Sequence, residues 1–176
     1  MQAAQPANPS TIVEQHRSEF VVSTDPARLD LDVIHGFLTN CYWAKGIPRE
    51  VVTRANEHSL CFGVYDESGE PSPHLAKDAR LRVPGQVGFA RVISDFATIA
   101  YIGDVFVLES HRGRGLGKWL MECIVQHPAL QGLRRWMLTT RDAHGLYSQV
   151  GFTLVKYPER YMELHRPDVY DSRKTT

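Results

Sequence analysis

A chain of 176 residues with 43% hydrophobic side chains is long enough to bury one core without metal or disulfide support. Its 20 basic and 20 acidic residues cancel, so no overall field draws it to nucleic acid or to an anionic membrane, and any anion site has to be local. Three cysteines, Cys41, Cys61 and Cys123, form an odd and scattered set, which argues against a disulfide framework or zinc cluster and fits a reducing cytoplasm.

Residues 1–15 lack the positive start and apolar run of a secretory signal and read as a flexible tail, with a single domain expected over 16–166 and a second tail over 167–176. No stretch approaches the roughly 20 apolar residues of a membrane span. Glu19 to Ser23 is a short apolar run suited to a strand, and Asp25-Pro26 offers a helix cap with proline in the first turn. Leu31, Ile34, Phe37, Leu38 and Cys41 then recur at three- and four-residue steps, one face of a helix between Leu29 and Tyr42. Gly46 and Pro48 break that pattern and expose Tyr42, Trp43 and Lys45, after which a second helix is expected from Arg49 to about Glu57.

Leu60 to Tyr65 and Val87 to Ile93 read as strands separated by an insert over 66–86 that is longer than a hairpin loop of about two to five residues. Thr98 to Leu108 is nearly continuously apolar, the pattern of a central strand buried on both faces, with Asp104 as its exception. A helix over Leu116 to Val125 and a returning strand over Trp136 to Thr139 follow. Asp142 is placed to cap a helix from Ala143 to Val150 that Gly151 ends, and Phe152 to Val155 and Tyr161 to His165 read as the last strands.

The turn from Arg112 to Lys118 sits between the apolar strand and a helix. Gly113, Gly115 and Gly117 let a ligand approach the backbone, the first N–H groups of the helix point outward unpaired, and Arg112, Arg114 and Lys118 add charge to the positive end of the helix dipole. That combination suits a diphosphate; a basic surface turn is the alternative. A nucleotide P-loop would need glycine where Arg112 stands and Ser or Thr where Trp119 stands, and a dinucleotide fingerprint would need glycine in place of Lys118.

With Arg112, Gly115 and Gly117 matching [Gln/Arg]-x-x-Gly-x-[Gly/Ala], the sequence resembles the GNAT superfamily of acyl-CoA N-acyltransferases. Asp104 to Val107 before the turn, and Ala143, Tyr147, Gly151 and Phe152 at the family's A-x-x-x-Y-x-x-x-G-F ending, carry the resemblance over about Phe20 to His165. The resemblance implies an α+β fold. Its mixed, mostly antiparallel sheet of six to seven strands would be flanked by about four helices and split by a V-shaped cleft for acetyl-CoA. It implies that Val105, Phe106 and Val107 bond the pantetheine arm through their main chain and that Arg112, Gly113, Arg114, Gly115, Leu116, Gly117 and Lys118 hold the diphosphate. Thr140 stands where many members carry asparagine on the pantetheine.

By the same resemblance Tyr147 is the acid that protonates the departing thiolate, and the loop bearing Tyr42, Trp43 and Lys45 covers the acceptor, a small-molecule or peptide amine. A tyrosine packing its helix onto the sheet is the plainer reading of Tyr147. For the base, Asp104 comes first because a carboxylate in an apolar strand is costly without a partner, although a structural salt bridge explains it equally well. Asp95 is second, as either base or turn former, with His111 and His144 behind. No metal is expected, since neither histidine has a partner at ligand spacing. A binding module without transfer activity is the competing function, and the strand near Tyr161 offers an edge for a homodimer.

Overall fold

The computed structural model describes residues 8–68 and 85–170. Six strands form one sheet in chain order: β1 (Glu14–Arg17), β2 (Phe20–Ser23), β3 (Leu60–Asp66), β4 (Gly85–Ser94), β5 (Ile99–Val107) and β6 (Arg135–Met137). Every neighbouring pair is antiparallel except β5 and β6, which run parallel. Helices α1 (Leu31–Leu38) and α2 (Arg49–Glu57) cover one face, and α3 (Leu116–Val125) and α4 (His144–Ser148) the other. Among the described residues, no helix is long and apolar enough to cross a membrane.

Two cores follow from the alternation of side chains along the strands. Val33, Ile34 and Leu38 of α1 pack with Cys61, Phe89 and Phe106 on one face of the sheet. On the other face Leu120 and Ile124 of α3 pack with Phe62, Val64, Val92 and Ile102. β2, β3 and β4 are the strands buried on both sides. β5, expected in that place, is buried only at Ala100, Ile102 and Phe106, because one of its edges and part of one face border a cleft.

Asp25 caps as expected, accepting from the Ala27 N–H at 2.9 Å, but the turn it opens is a 3-10 turn, Pro26–Arg28. The helix starts at a second cap, Asp30, which accepts from Asp32 and Val33 at 2.9 and 3.1 Å. Asp142 does not cap α4; the Thr140 hydroxyl accepts from the Ala143 N–H at 3.0 Å instead. The polar β1, which no apolar pattern announces, begins at Glu14, inside the stretch read as tail. Phe152 to Val155 and Tyr161 to His165 are not strands: β6 is three residues long, and its outer side faces a groove of about 510 Å³. Residues 69–84 of the insert lie outside the described chain.

Candidate active site

The sheet opens where β5 loses its parallel neighbour. Ile99, Ala100 and Tyr101 pair with Arg135, Trp136 and Met137, and from Ile102 onward that edge of β5 has no strand beside it among the described residues. On its other edge the register with β4 jumps, Phe89 facing Phe106 while Arg91 faces Gly103, so one extra residue of β5 is accommodated beside Asp104, at φ 56°. A bulge of this kind bends a strand and re-aims its side chains. The resulting cleft, about 400 Å³, is lined by Tyr42, Trp43, Arg91, Tyr101, Asp104, Val105, Thr139, Thr140, Arg141 and Tyr147 among others.

Asp104 is held from two sides. Its Oδ2 accepts from Arg91 Nε, and its Oδ1 accepts from the Trp43 indole N–H at 3.2 Å. Tyr147 is buried, and its hydroxyl makes no hydrogen bond within the described residues. Burial raises the phenol above its ordinary value, and the nearby Tyr42, Asp142 and Tyr101 push it the same way. The Tyr101 hydroxyl lies 2.8 Å from Thr139 Oγ1, and the Arg141 guanidinium stacks 3.8 Å from the Tyr42 ring centroid.

At the end of β5, Phe106 turns its ring away from the cleft and stacks on Phe37 at 3.9 Å, leaving only its main chain for any ligand there. The Val107 carbonyl accepts from Arg112 Nε at 3.1 Å. Gly113 and Gly115 take φ of 79° and 73°, and Gly115 is the left-handed N-cap of α3. A side chain there would be strained. The first bond into the helix is from Trp119 N–H to Gly115 O, so the N–H groups of Leu116, Gly117 and Lys118 have no acceptor among the described residues. Arg114 sits 3.9 Å from Glu19, and Lys118 3.6 Å from Glu122.

Tyr42, Trp43, Asp104, Val105, Thr140 and Tyr147 share the cleft, the glycine turn lies past the end of β5, and Asp95 and Lys45 are at neither place. Asp95 accepts from the main chain of Ala97, Thr98 and Ile99 and from the Thr98 hydroxyl, the bonds of a turn, and these hold its carboxyl well below the usual range. Lys45 is exposed and outside the cleft wall. His144 lines the outer groove, and His111 lies by the turn with Nε2 3.2 Å from Asp66 and Nδ1 2.8 Å from Ser110 Oγ. Among the described residues no group of three or more His, Cys, Asp or Glu could hold a metal ion.

Sequence reasoning missed Arg17, Arg91, Tyr101, Thr139 and Arg141. Arg17 reaches from β1 to the glycine turn, donating to the Arg114 carbonyl at 3.0 Å with its guanidinium 4.7 Å from the Trp119 ring. Nothing local in the sequence signals that contact. Arg91, a lone cation in an apolar strand, was such a signal, the counterpart of Asp104.

The architecture is an open α+β sheet whose parallel pair, β5 and β6, parts after three residues, with a glycine-capped helix following β5. The GNAT acetyltransferase domain profile matches residues 73–154. A solved structure from Xanthomonas campestris pv. campestris, provisionally designated an acetyltransferase of the GNAT family, is 48% identical. It superposes with a TM-score of 0.75 over 87% of this chain and 97% of that one. A Gibberella zeae protein provisionally designated an acetyltransferase is 34% identical over 140 residues, 76% of this chain and 78% of that one. A Deinococcus radiodurans R1 structure at 20% identity and TM-score 0.60 shares the fold over 89% of this chain and 95% of that one. The chain belongs to the GNAT acetyltransferase family.

Proposed function

We propose that the protein is an acetyl-CoA-dependent N-acetyltransferase that joins the acetyl group to a small-molecule or peptide amine by direct attack within a ternary complex. One observation carries this reading: Tyr147 and the unpaired edge of β5 share one cleft, and β5 leads from it to the glycine turn, where the N–H groups of Leu116, Gly117 and Lys118 lack acceptors among the described residues. The N–H groups and the cations Arg17, Arg112 and Arg114 suit a diphosphate at the helix N-terminus. The main chain of Val105 to Val107 suits an extended amide-bearing arm laid beside β5 as an extra strand. Acetyl-CoA supplies the acyl group as a thioester.

The amine nitrogen forms the new C–N bond as the C–S bond breaks; the thiolate takes the Tyr147 hydroxyl proton, and a carboxylate takes the proton lost by the amine. Asp104 fits that second task better than Asp95, because only Asp104 shares the cleft with Tyr147. Tyr42 and Trp43 form the acceptor's wall, and Thr140 contributes its hydroxyl proton toward the coenzyme arm while its oxygen accepts from the Ala143 N–H just before α4. Residues 16–166 act as one domain, working in the cytoplasm, where the free thiols of Cys41, Cys61 and Cys123 persist.

The test is a thermal shift with acetyl-CoA followed by coenzyme release over mixed amine pools. At 100 times Kd a ligand of the folded state adds about 2.7 kcal/mol of stability, a shift of several degrees. Stabilisation with amine-dependent release of free thiol is expected. Stabilisation without release from any pool would make the protein a binding module, and no stabilisation at millimolar coenzyme would end the proposal.

A further inference from the structure

Four residues that line the cleft touch one another in a row. The Arg141 guanidinium lies 3.8 Å from the Tyr42 ring centroid. The Tyr42 ring meets the Trp43 ring edge-on, with centroids 4.9 Å apart. The Trp43 indole N–H donates to Asp104 Oδ1 at 3.2 Å. A cation, two aromatic rings and a carboxylate thus follow in sequence, the pattern complementary to a carboxylate, an apolar body and an amine.

The two cations of the cleft differ in what they have left to give. Arg91 is mostly buried and engaged, its Nε donating to Asp104 and its Nη1 to Ser59 Oγ at 3.4 Å. Arg141 gives Nη2 alone to Asp142 Oδ2, at 3.2 Å, and its other N–H groups have no acceptor among the described residues. An exposed pair of sequence neighbours holds a guanidinium weakly, so it yields to a better-placed anion. Contact with the Tyr42 ring restrains the side chain, which reduces the entropy lost when its planar fork of donors closes on a carboxylate. Arg91 and Arg141 are balanced by Asp104 and Asp142, so the cleft wall has no surplus of either charge. That balance suits a ligand with one negative and one positive group better than a phosphate dianion or a polyamine.

We propose that the acceptor is a free amino acid or a similar small amino carboxylate: Arg141 grips its carboxylate, Tyr42 and Trp43 pack on its carbons, and its amine faces Asp104. The proposal rests on reading this cleft as the site of acetyl transfer. The carboxylate passes through unchanged, and the products are the N-acetyl amino acid and free coenzyme A. An N-terminal peptide amine fits less well, because the next group along its chain is a neutral amide.

The test measures coenzyme release with the common amino acids and with straight-chain amino acids from glycine to γ-aminobutyrate. Each is set against its amide and its decarboxylated amine, in wild type and Arg141→Met. For the best substrate, kcat/KM of the acid should exceed that of the amide by about tenfold or more, and the ratio should fall to near one in Arg141→Met. Were Arg141 only a clasp on Tyr42, the variant would slow acid and amide alike and the ratio would stand. Calorimetric titration of the coenzyme A-bound protein with the same acids and amides reads binding without turnover. Equal kcat/KM for acid and amide, faster transfer to the decarboxylated amines, or a ratio untouched by Arg141→Met would each overturn the proposal and leave acetyl transfer standing. Acid binding that depends on Arg141, with no thiol released from any amine, would uphold the carboxylate subsite and overturn the transfer reading instead.

Discussion

The Asp104 carboxylate accepts from Arg91 Nε through one oxygen and from the Trp43 indole through the other, tying the β5 bulge to β4 and to the loop after α1. The ion pair is mostly buried, its side chains 12% and 21% exposed for Asp104 and Arg91. Removing one partner of such a pair strands the other charge, which costs on the order of 3 kcal/mol. Asp104→Asn strands the Arg91 charge too, but that is the more exposed partner, and the amide keeps one acceptor oxygen for Arg91 Nε while losing the acceptor of the Trp43 indole, a cost of about 2 kcal/mol. Arg91→Met is therefore expected to destabilise the protein more than Asp104→Asn, which also tolerates the positive φ. Urea unfolding of both variants decides it; an Asp104→Asn loss equal to or above that of Arg91→Met would mean the pair is not what holds the bulge.

Tyr147→Phe should lower kcat by about 100-fold or more, the range for loss of a positioned acid, with coenzyme Kd changed less than about twofold. Burial raises the Tyr147 phenol, so its protonated, donating form persists to higher pH than in an ordinary tyrosine. The alkaline limb of the wild-type profile is thus expected above pH 10 and absent in Tyr147→Phe. A variant retaining more than a third of wild-type kcat would reduce Tyr147 to a packing residue.

What the sequence conveyed depended on how local the cause was. The start of α2 was readable from the break at Gly46 and Pro48, and α3 and its glycine turn from spacing within a few residues. Arg17 reaches Arg114 across 97 positions of sequence, so only the folded sheet reveals it. β5 was expected to be covered on both faces because apolar composition records what a strand tolerates and says nothing of where its neighbour departs. The late strands were misplaced for a related reason: Leu154, Met162 and Leu164 carry strand character, but neither segment hydrogen-bonds to the outer edge of β6.

Gly115 is the position where the turn should be least tolerant. An added Cβ would meet nothing closer than the Arg17 guanidinium at 3.8 Å, so space is adequate, but φ of 73° costs a side-chain-bearing residue about 1–2 kcal/mol. Relief of that strain rotates the N–H groups at the start of α3. Gly115→Ala is expected to weaken acetyl-CoA binding about tenfold, the equivalent of roughly 1.4 kcal/mol. Gly36→Ala, mid-helix with nothing within 4 Å, should instead stabilise by about 0.5–1 kcal/mol and leave binding alone. Calorimetric titration of the two variants separates strain at the turn from a general effect of added methyl groups.

Cys61 gives a pH dependence whose sign can be worked out in advance. Its thiol is buried in β3 and, chiefly through desolvation, pushed up to about 12 from an ordinary 9.0. Between those values the unfolded chain has lost this proton and the folded chain keeps it. Folding then takes up a proton, so stability falls as pH rises through the window, by about 1.4 kcal/mol per pH unit from this group at most. Below pH 9 both states hold the proton and the contribution is constant. Tyr65 and Cys123, also raised by burial, add to the same alkaline loss, so the wild-type slope alone does not isolate Cys61. Cys61→Ala removes its share: the variant starts less stable at pH 8 for want of the sulfur's packing, but its stability should decline more slowly from pH 9 to 10.5. Parallel wild-type and variant curves across that range, from guanidinium melts at half-unit steps, would show that the Cys61 thiol ionises as readily in the fold as in the open chain.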